Sequence, residues 1–114
     1  MSRRSDALLL KDMLAALQKI RRHTKGMDYK AFRKDDKTVD AVCRNSEIPG
    51  EAAGRLSRAF RLRHGQIDWP GIIGCRNRII HEYFGVDRAL RWAIIQNDVP
   101  AMRIALRRSS VDAE

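Results

Sequence analysis

Long apolar runs, cysteine and proline are all scarce in this 114-residue chain. No stretch approaches the ~20 consecutive apolar residues a membrane-crossing helix requires. The run Ala7-Leu8-Leu9-Leu10 is cut short by Lys11 and Asp12, which predicts neither a secretory leader nor export. Cys43 and Cys75 are the only cysteines, too few for a disulfide framework and no sign of an oxidising compartment. Neither a metal-ligand spacing of His and Cys nor a glycine-rich phosphate loop is visible, which disfavours a metal-dependent nuclease or a P-loop enzyme. No cofactor is implied. A cytoplasmic protein is the expectation, with one domain over 1–114 and a core over about 5–106.

Acid is also in short supply. Lys and Arg total 23 against 14 acidic residues, for a net charge of +9. The excess is uneven: residues 1–34 carry ten basic and three acidic side chains, whereas residues 35–54 carry two and five. Arg55, Arg58, Arg61 and Arg63 then follow with no acid among residues 55–65. Spacings of three put Arg55, Arg58 and Arg61 along one side of a helix. A solvated face explains any one of these arginines, but the total favours a polyanionic partner, with RNA or DNA first.

The apolar periodicity is helical throughout, and no strand-like alternation of useful length occurs. Leu10, Met13, Leu14, Leu17 and Ile20 mark a first helix over about 5–23, capped by Ser5 or Asp6, with Gly26 suited to the reversal after it. A short turn is expected at 29–33. Asp35 or Asp36 can cap the next helix, whose inward face runs Val39, Val42, Cys43, Ser46, Gly50, Ala53, Leu56 and Phe60. Small residues in its middle allow close approach of another helix. Pro49 removes a donor and clashes with the preceding turn, predicting a kink or break near 46–50. Asp68-Trp69-Pro70 opens a helix expected to reach about Phe84 and stop at Gly85. Asp87 can cap another helix with Leu90, Trp92, Ile94 and Ile95. Asp98 and Pro100 then open a last short one through about Leu106, leaving 107–114 as a frayed tail. The fold class is all-α, an up-and-down bundle of about four to five helices.

The helix expected over 69–84 carries the unusual chemistry. On a wheel, Ile72, Ile73, Ile79, Ile80, Tyr83 and Phe84 form an apolar face with Arg76 at its centre. An arginine there is costly to bury unless its charge is paired or used. Gly74, Asn77, Arg78 and His81 occupy the other side, with His81 four residues from Asn77 and three from Arg78. A histidine beside an amide and two guanidinium groups suits proton transfer at a phosphate, because imidazole titrates near neutrality and arginine stabilises a pentavalent intermediate. The better prior for Trp69 and Trp92 is packing, as it is for Cys43 and Cys75. His23 and His64 fit helix ends, where the dipole suffices.

The segment Arg76-Asn77-Arg78-Ile79-Ile80-His81-Glu82-Tyr83 resembles the R-x4-H-x-Y motif of the HepT-like toxins, a branch of the HEPN superfamily. Asp40-Ala41-Val42, Gly50-Glu51-Ala52, Ile73-Gly74, Tyr83-Phe84-Gly85-Val86-Asp87, Trp92 and Asn97-Asp98 extend the likeness over roughly residues 5–106. Pro49 departs from it, since the family usually has an aliphatic residue before Gly-Glu-Ala.

The resemblance implies a HEPN-like helical bundle that dimerises and cuts RNA without a metal, with the motif residues of both protomers lining a cleft. His81 would move protons, Arg76 would stabilise the phosphorane, and Asn77 and Arg78 would support substrate. Within one helix Arg78 lies one turn from His81 and Arg76 lies ~140° away. The family arrangement therefore needs converging side chains, a distorted helix end or residues supplied across a dimer. Tyr83 corresponds to the tyrosine that a cognate MntA-type nucleotidyltransferase antitoxin modifies with AMP, as in type VII-like toxin–antitoxin systems. Possible targets include tRNA. The alternative reading is a non-catalytic helical binding module that serves as a partner subunit of such a nucleotidyltransferase; a DNA-binding protein is weaker, because no recognition helix stands out.

Overall fold

The computed structural model describes residues 5–74 and 88–113. Every regular element among them is helical, so the protein is the all-α bundle its periodicity predicts. Helix α1 spans Asp6–Thr24, and the Ser5 side chain caps it by accepting from the Leu8 N–H. Its inner face buries Leu9, Leu10, Met13, Ala16, Leu17 and Ile20. At its end Gly26 takes φ 78°, a left-handed turn that costs a glycine little. The chain re-enters helix at α2, Tyr29–Lys34, capped by Asp28 through the Ala31 N–H. Phe32 is the buried anchor of that short helix.

Helix α3, Asp36–Arg55, is capped by Asp35, whose carboxylate accepts from the Thr38 N–H and hydroxyl. That cap holds the Asp35 pKa below the usual carboxylate value, chiefly through the Thr38 backbone hydrogen bond. Contrary to expectation, Pro49 does not break the helix: α3 runs through it, with Pro49 and Gly50 both buried. The reason is packing. α3 makes the most extensive helix–helix contact of the described residues, against α1, and buries Val39, Val42, Ala52 and Ala53. A proline inside a helix costs about 3 kcal/mol, whereas each sizeable buried apolar side chain contributes about 1.5–3 kcal/mol. Ala53 is fully buried in the core to which α1 and α3 both contribute.

The break comes later instead. α3 ends at Arg55, and α4, Arg58–Arg63, starts afresh behind Ser57. Ser57 donates its N–H and its hydroxyl to the two carboxylate oxygens of Asp6, at 2.8 and 2.7 Å, while its oxygen accepts from the Phe60 N–H. Thus a first-turn acid of α1 fixes the bend. The expected single helical row of Arg55, Arg58 and Arg61 is therefore divided between α3 and α4.

Residues 69–74 form the described part of α5, and the expected run to Phe84 and stop at Gly85 lies outside the described residues. Helix α6, Arg88–Ala93, passes through a π-helical turn at Ile94–Asp98 into α7, Val99–Ala113. Two expectations need correcting here. Asp98 and Pro100 do not start a new helix, and α7 does not end at Leu106. Ser109 is buried and donates its hydroxyl to the Ala105 carbonyl, so the stretch read as a frayed tail continues the helix to Ala113. Within the described residues, no helix is long and apolar enough to cross a membrane.

Candidate functional site

The residues singled out for chemistry, Arg76, Asn77, Arg78, His81 and Tyr83, all lie outside the described residues, as do Cys75 and Asp87. The structure does describe the two ends of the chain between which they fall. Upstream, α4 is followed by His64, which is buried with its ring centroid 4.4 Å from that of Phe60. Trp69 is buried too, and its indole N–H donates to the His64 carbonyl at 3.2 Å. Asp68 accepts from the Gly71 N–H and so caps α5. Ile72 is buried, and Ile73 and Gly74 are half-buried. Trp69 and His64 are thus packing residues that fix where α5 begins.

Downstream, Arg88 is tied to the other side of the bundle. Its guanidinium donates to the Arg33 carbonyl and to the Asp36 carboxylate, the latter at 3.0 Å. Trp92 packs its ring against Phe32 and Tyr29, at centroid distances of 5.2 and 6.5 Å. The described residues on either side of the motif segment are therefore both anchored to the bundle. Anchors of this kind suit a site whose groups must keep fixed geometry.

One residue that the sequence reading did not single out is Arg91. It is 6% exposed, and its Nη1 has no hydrogen-bond partner among the described residues. A signal for it existed: Arg91 sits one turn before Ile94 and Ile95, both buried, which places it on the apolar side of its helix. Its charge acts on Cys43, whose thiol pKa is nevertheless raised, because burial outweighs the opposing pull of Arg91. A thiol shifted in that direction is a packing group rather than a nucleophile. Glu51 is exposed and pairs with Arg55 at 3.1 Å, one helical turn away. Such a pair contributes about 0.3–0.5 kcal/mol to a helix surface, and this helix-stabilising role accounts for it.

Comparison with known proteins agrees with the motif. The family model described as Ribonuclease HepT-like matches residues 13–109, a range that includes Arg76 to Tyr83. A Methanocaldococcus jannaschii protein named as a candidate RNase is 36% identical over 103 residues, covering 90% of this chain and 94% of that protein. A Thermococcus cleftensis protein named "Probable ribonuclease HepT" is 34% identical over 101 residues, 89% of this chain and 92% of its own. A third relative, from Caldanaerobacter subterraneus and also named as a candidate RNase, is 38% identical over 78 residues, 68% of this chain and 70% of its own. No solved structure matches the chain.

Proposed function

We propose, given that the chain belongs to the HepT-like ribonuclease family, that it is an RNA-cleaving toxin that needs no metal. The observation that carries this reading is the family match itself, which takes in Arg76, His81 and Tyr83 at R-x4-H-x-Y spacing. In the proposed reaction a ribose 2′-oxygen attacks the adjacent phosphorus as its proton is removed. The P–O5′ bond then breaks as the 5′-oxygen takes up a proton. The products are a 2′,3′-cyclic phosphate end and a 5′-hydroxyl end, with no net gain or loss of protons. His81 performs one or both proton transfers, and imidazole is suited to this because it exchanges protons near neutral pH. Arg76 neutralises the charge that builds on the equatorial oxygens. Asn77 and Arg78 hold the substrate phosphate. The site is completed across a homodimer, since Arg76 and His81 fall on different sides of an ideal helix.

The partner in this reading is an MntA-type nucleotidyltransferase antitoxin that transfers AMP to Tyr83. An added phosphate at that position would repel an incoming RNA phosphate and fill the cleft. The setting is the cytoplasm. The test is RNA cleavage in EDTA by the purified wild type, His81→Ala and Arg76→Ala. Loss of a general acid–base group is expected to lower the rate about 10²–10⁴-fold, and loss of the arginine about 10²–10³-fold. Equal residual activity in all three proteins would remove the catalytic assignment.

A further inference from the structure

α1 and α7 pack against each other, and an open groove of about 310 Å³ runs beside their contact. It is lined by Lys11, Leu14, Ala15 and Gln18 from α1 and by Arg103 and Arg107 from α7. On α1 the same strip continues through Arg21 and Arg22, three and four residues beyond Gln18. From Lys11 to Arg22 it contains no acid; Asp12, the one acid in that stretch of sequence, lines a different groove with Glu51 and Arg55. Eleven helical steps make this strip about 16 Å long. Residues 1–34, which supply it, also hold most of the chain's positive excess.

Arg103 is half-buried. Its pKa is lowered first by loss of hydration and then by two charges, those of Arg21 and Arg107, both cations. Like charges gathered on one face make the fold less stable while the groove is empty, and they create a field that attracts anions. The lining favours a nucleic acid over a protein. Among the described residues no aromatic side chain lines it, and its largest apolar group, Leu14, is half-buried. Protein interfaces are usually anchored by buried aromatic and large apolar groups, whereas protein–nucleic-acid interfaces are polar and strongly positive.

We propose that the α1–α7 groove is a second RNA contact, holding the phosphodiester backbone of a strand away from the cleavage motif. On α7 the groove residues Arg103 and Arg107 lie on a different side from Ala101, Met102 and Ala105, which line a separate cavity with Gly71 and Ile72 of α5. A strand that engages the groove and the motif together must present more than one phosphate. The proposal rests on the reading above only in taking RNA as the polyanion that this protein handles.

The test pairs two substrates. Anisotropy of a fluorescein-labelled single-stranded RNA of about 30 nucleotides, bound to the His81→Ala protein, measures backbone grip. Adding Lys11→Gln with Arg107→Gln is expected to weaken binding about tenfold and to reduce the slope of log K against log salt by about 1.4, for two lost phosphate contacts. Arg21→Gln with Arg103→Gln must reproduce the loss, with helicity by circular dichroism confirming that both variants fold. Lys30→Gln with Lys34→Gln, on α2, removes the same charge elsewhere and is expected to change affinity less than about twofold. With His81 intact, the Lys11/Arg107 pair is expected to slow cleavage of the long RNA more than cleavage of a dinucleotide, whose single phosphate cannot occupy the groove and the motif at once. Unchanged RNA affinity would overturn the proposal, and so would an equal loss in the α2 variant. Weakened binding of the nucleotidyltransferase partner with RNA affinity intact would reassign the groove to an acidic protein surface. Failure of the wild type to cleave any RNA would instead count against the catalytic reading and leave the binding result standing.

Discussion

Ser5, Asp28, Asp35 and Ser57 stand ahead of α1 to α4, and each begins its helix from extended backbone, with ψ of 158°, 177°, 90° and 149°. Each accepts a hydrogen bond from the N–H three residues on. Asp98, followed by Val99 and Pro100, carries the same signal, yet the chain stays helical across it. Ala93 and Val99, on either side of the π turn, have ψ of −40° and −47°. There the Val99 N–H reaches back five residues to the Ile94 carbonyl, a widened turn directly ahead of a proline that has no N–H to donate. The difference shows that a capping residue starts a helix only where the chain has already left helical backbone. At Ser57 that departure is enforced from outside by Asp6. At Asp98 no such contact is made among the described residues, and Ile95, Val99, Met102 and Leu106 continue one inward row at spacings of four, three and four. All but the half-buried Met102 are buried.

The largest stability effect should come from the side chain that joins the two regions. Phe32 is fully buried on α2 and packs on Trp92 of α6. Phe32→Ala is expected to cost about 3–5 kcal/mol in urea unfolding. A loss under about 1 kcal/mol would mean that the N-terminal helices and the last helical stretch are held together elsewhere. Next in size is Ser57→Ala, which removes the α4 cap and leaves the Asp6 carboxylate short of one donor. About 1–2 kcal/mol is expected, with Asp6→Ala giving a similar loss and the double variant well short of the sum. Asp98→Ala should be smallest, within about 0.5 kcal/mol of the wild type, because Asp98 starts no helix. A cost equal to that of Ser57→Ala would show that Asp98 caps α7 after all.

These contrasts also mark what could be read beforehand. The start of α1, the short α2 and the caps at Ser5 and Asp35 follow from local chemistry, and local chemistry is what a sequence displays. The bend at Leu56–Ser57 was not legible, because the carboxylate that holds it is contributed by Asp6, fifty-one residues earlier. At Pro49 the expected break fails for the complementary reason: its penalty is local, while the α1 contact that outweighs it is not. The inward row from Ile95 to Leu106 was present in the sequence, but Asp98 and Pro100 invited a division of it. In the candidate site, Arg76, Asn77, Arg78, His81 and Tyr83 were legible as a motif, and the family match covers all five. Arg91 could have been found from its position one turn before Ile94 and Ile95. The groove between α1 and α7 could not, since neither strip of cations reveals that the other lies beside it.

The most direct measurement of the central claim is the chemistry of the RNA ends left after incubation with the purified protein in EDTA. The account predicts 2′,3′-cyclic phosphate and 5′-hydroxyl termini from the wild type and intact RNA from His81→Ala. Termini bearing a 3′-hydroxyl and a 5′-phosphate, or the same cut ends from both proteins, would contradict it.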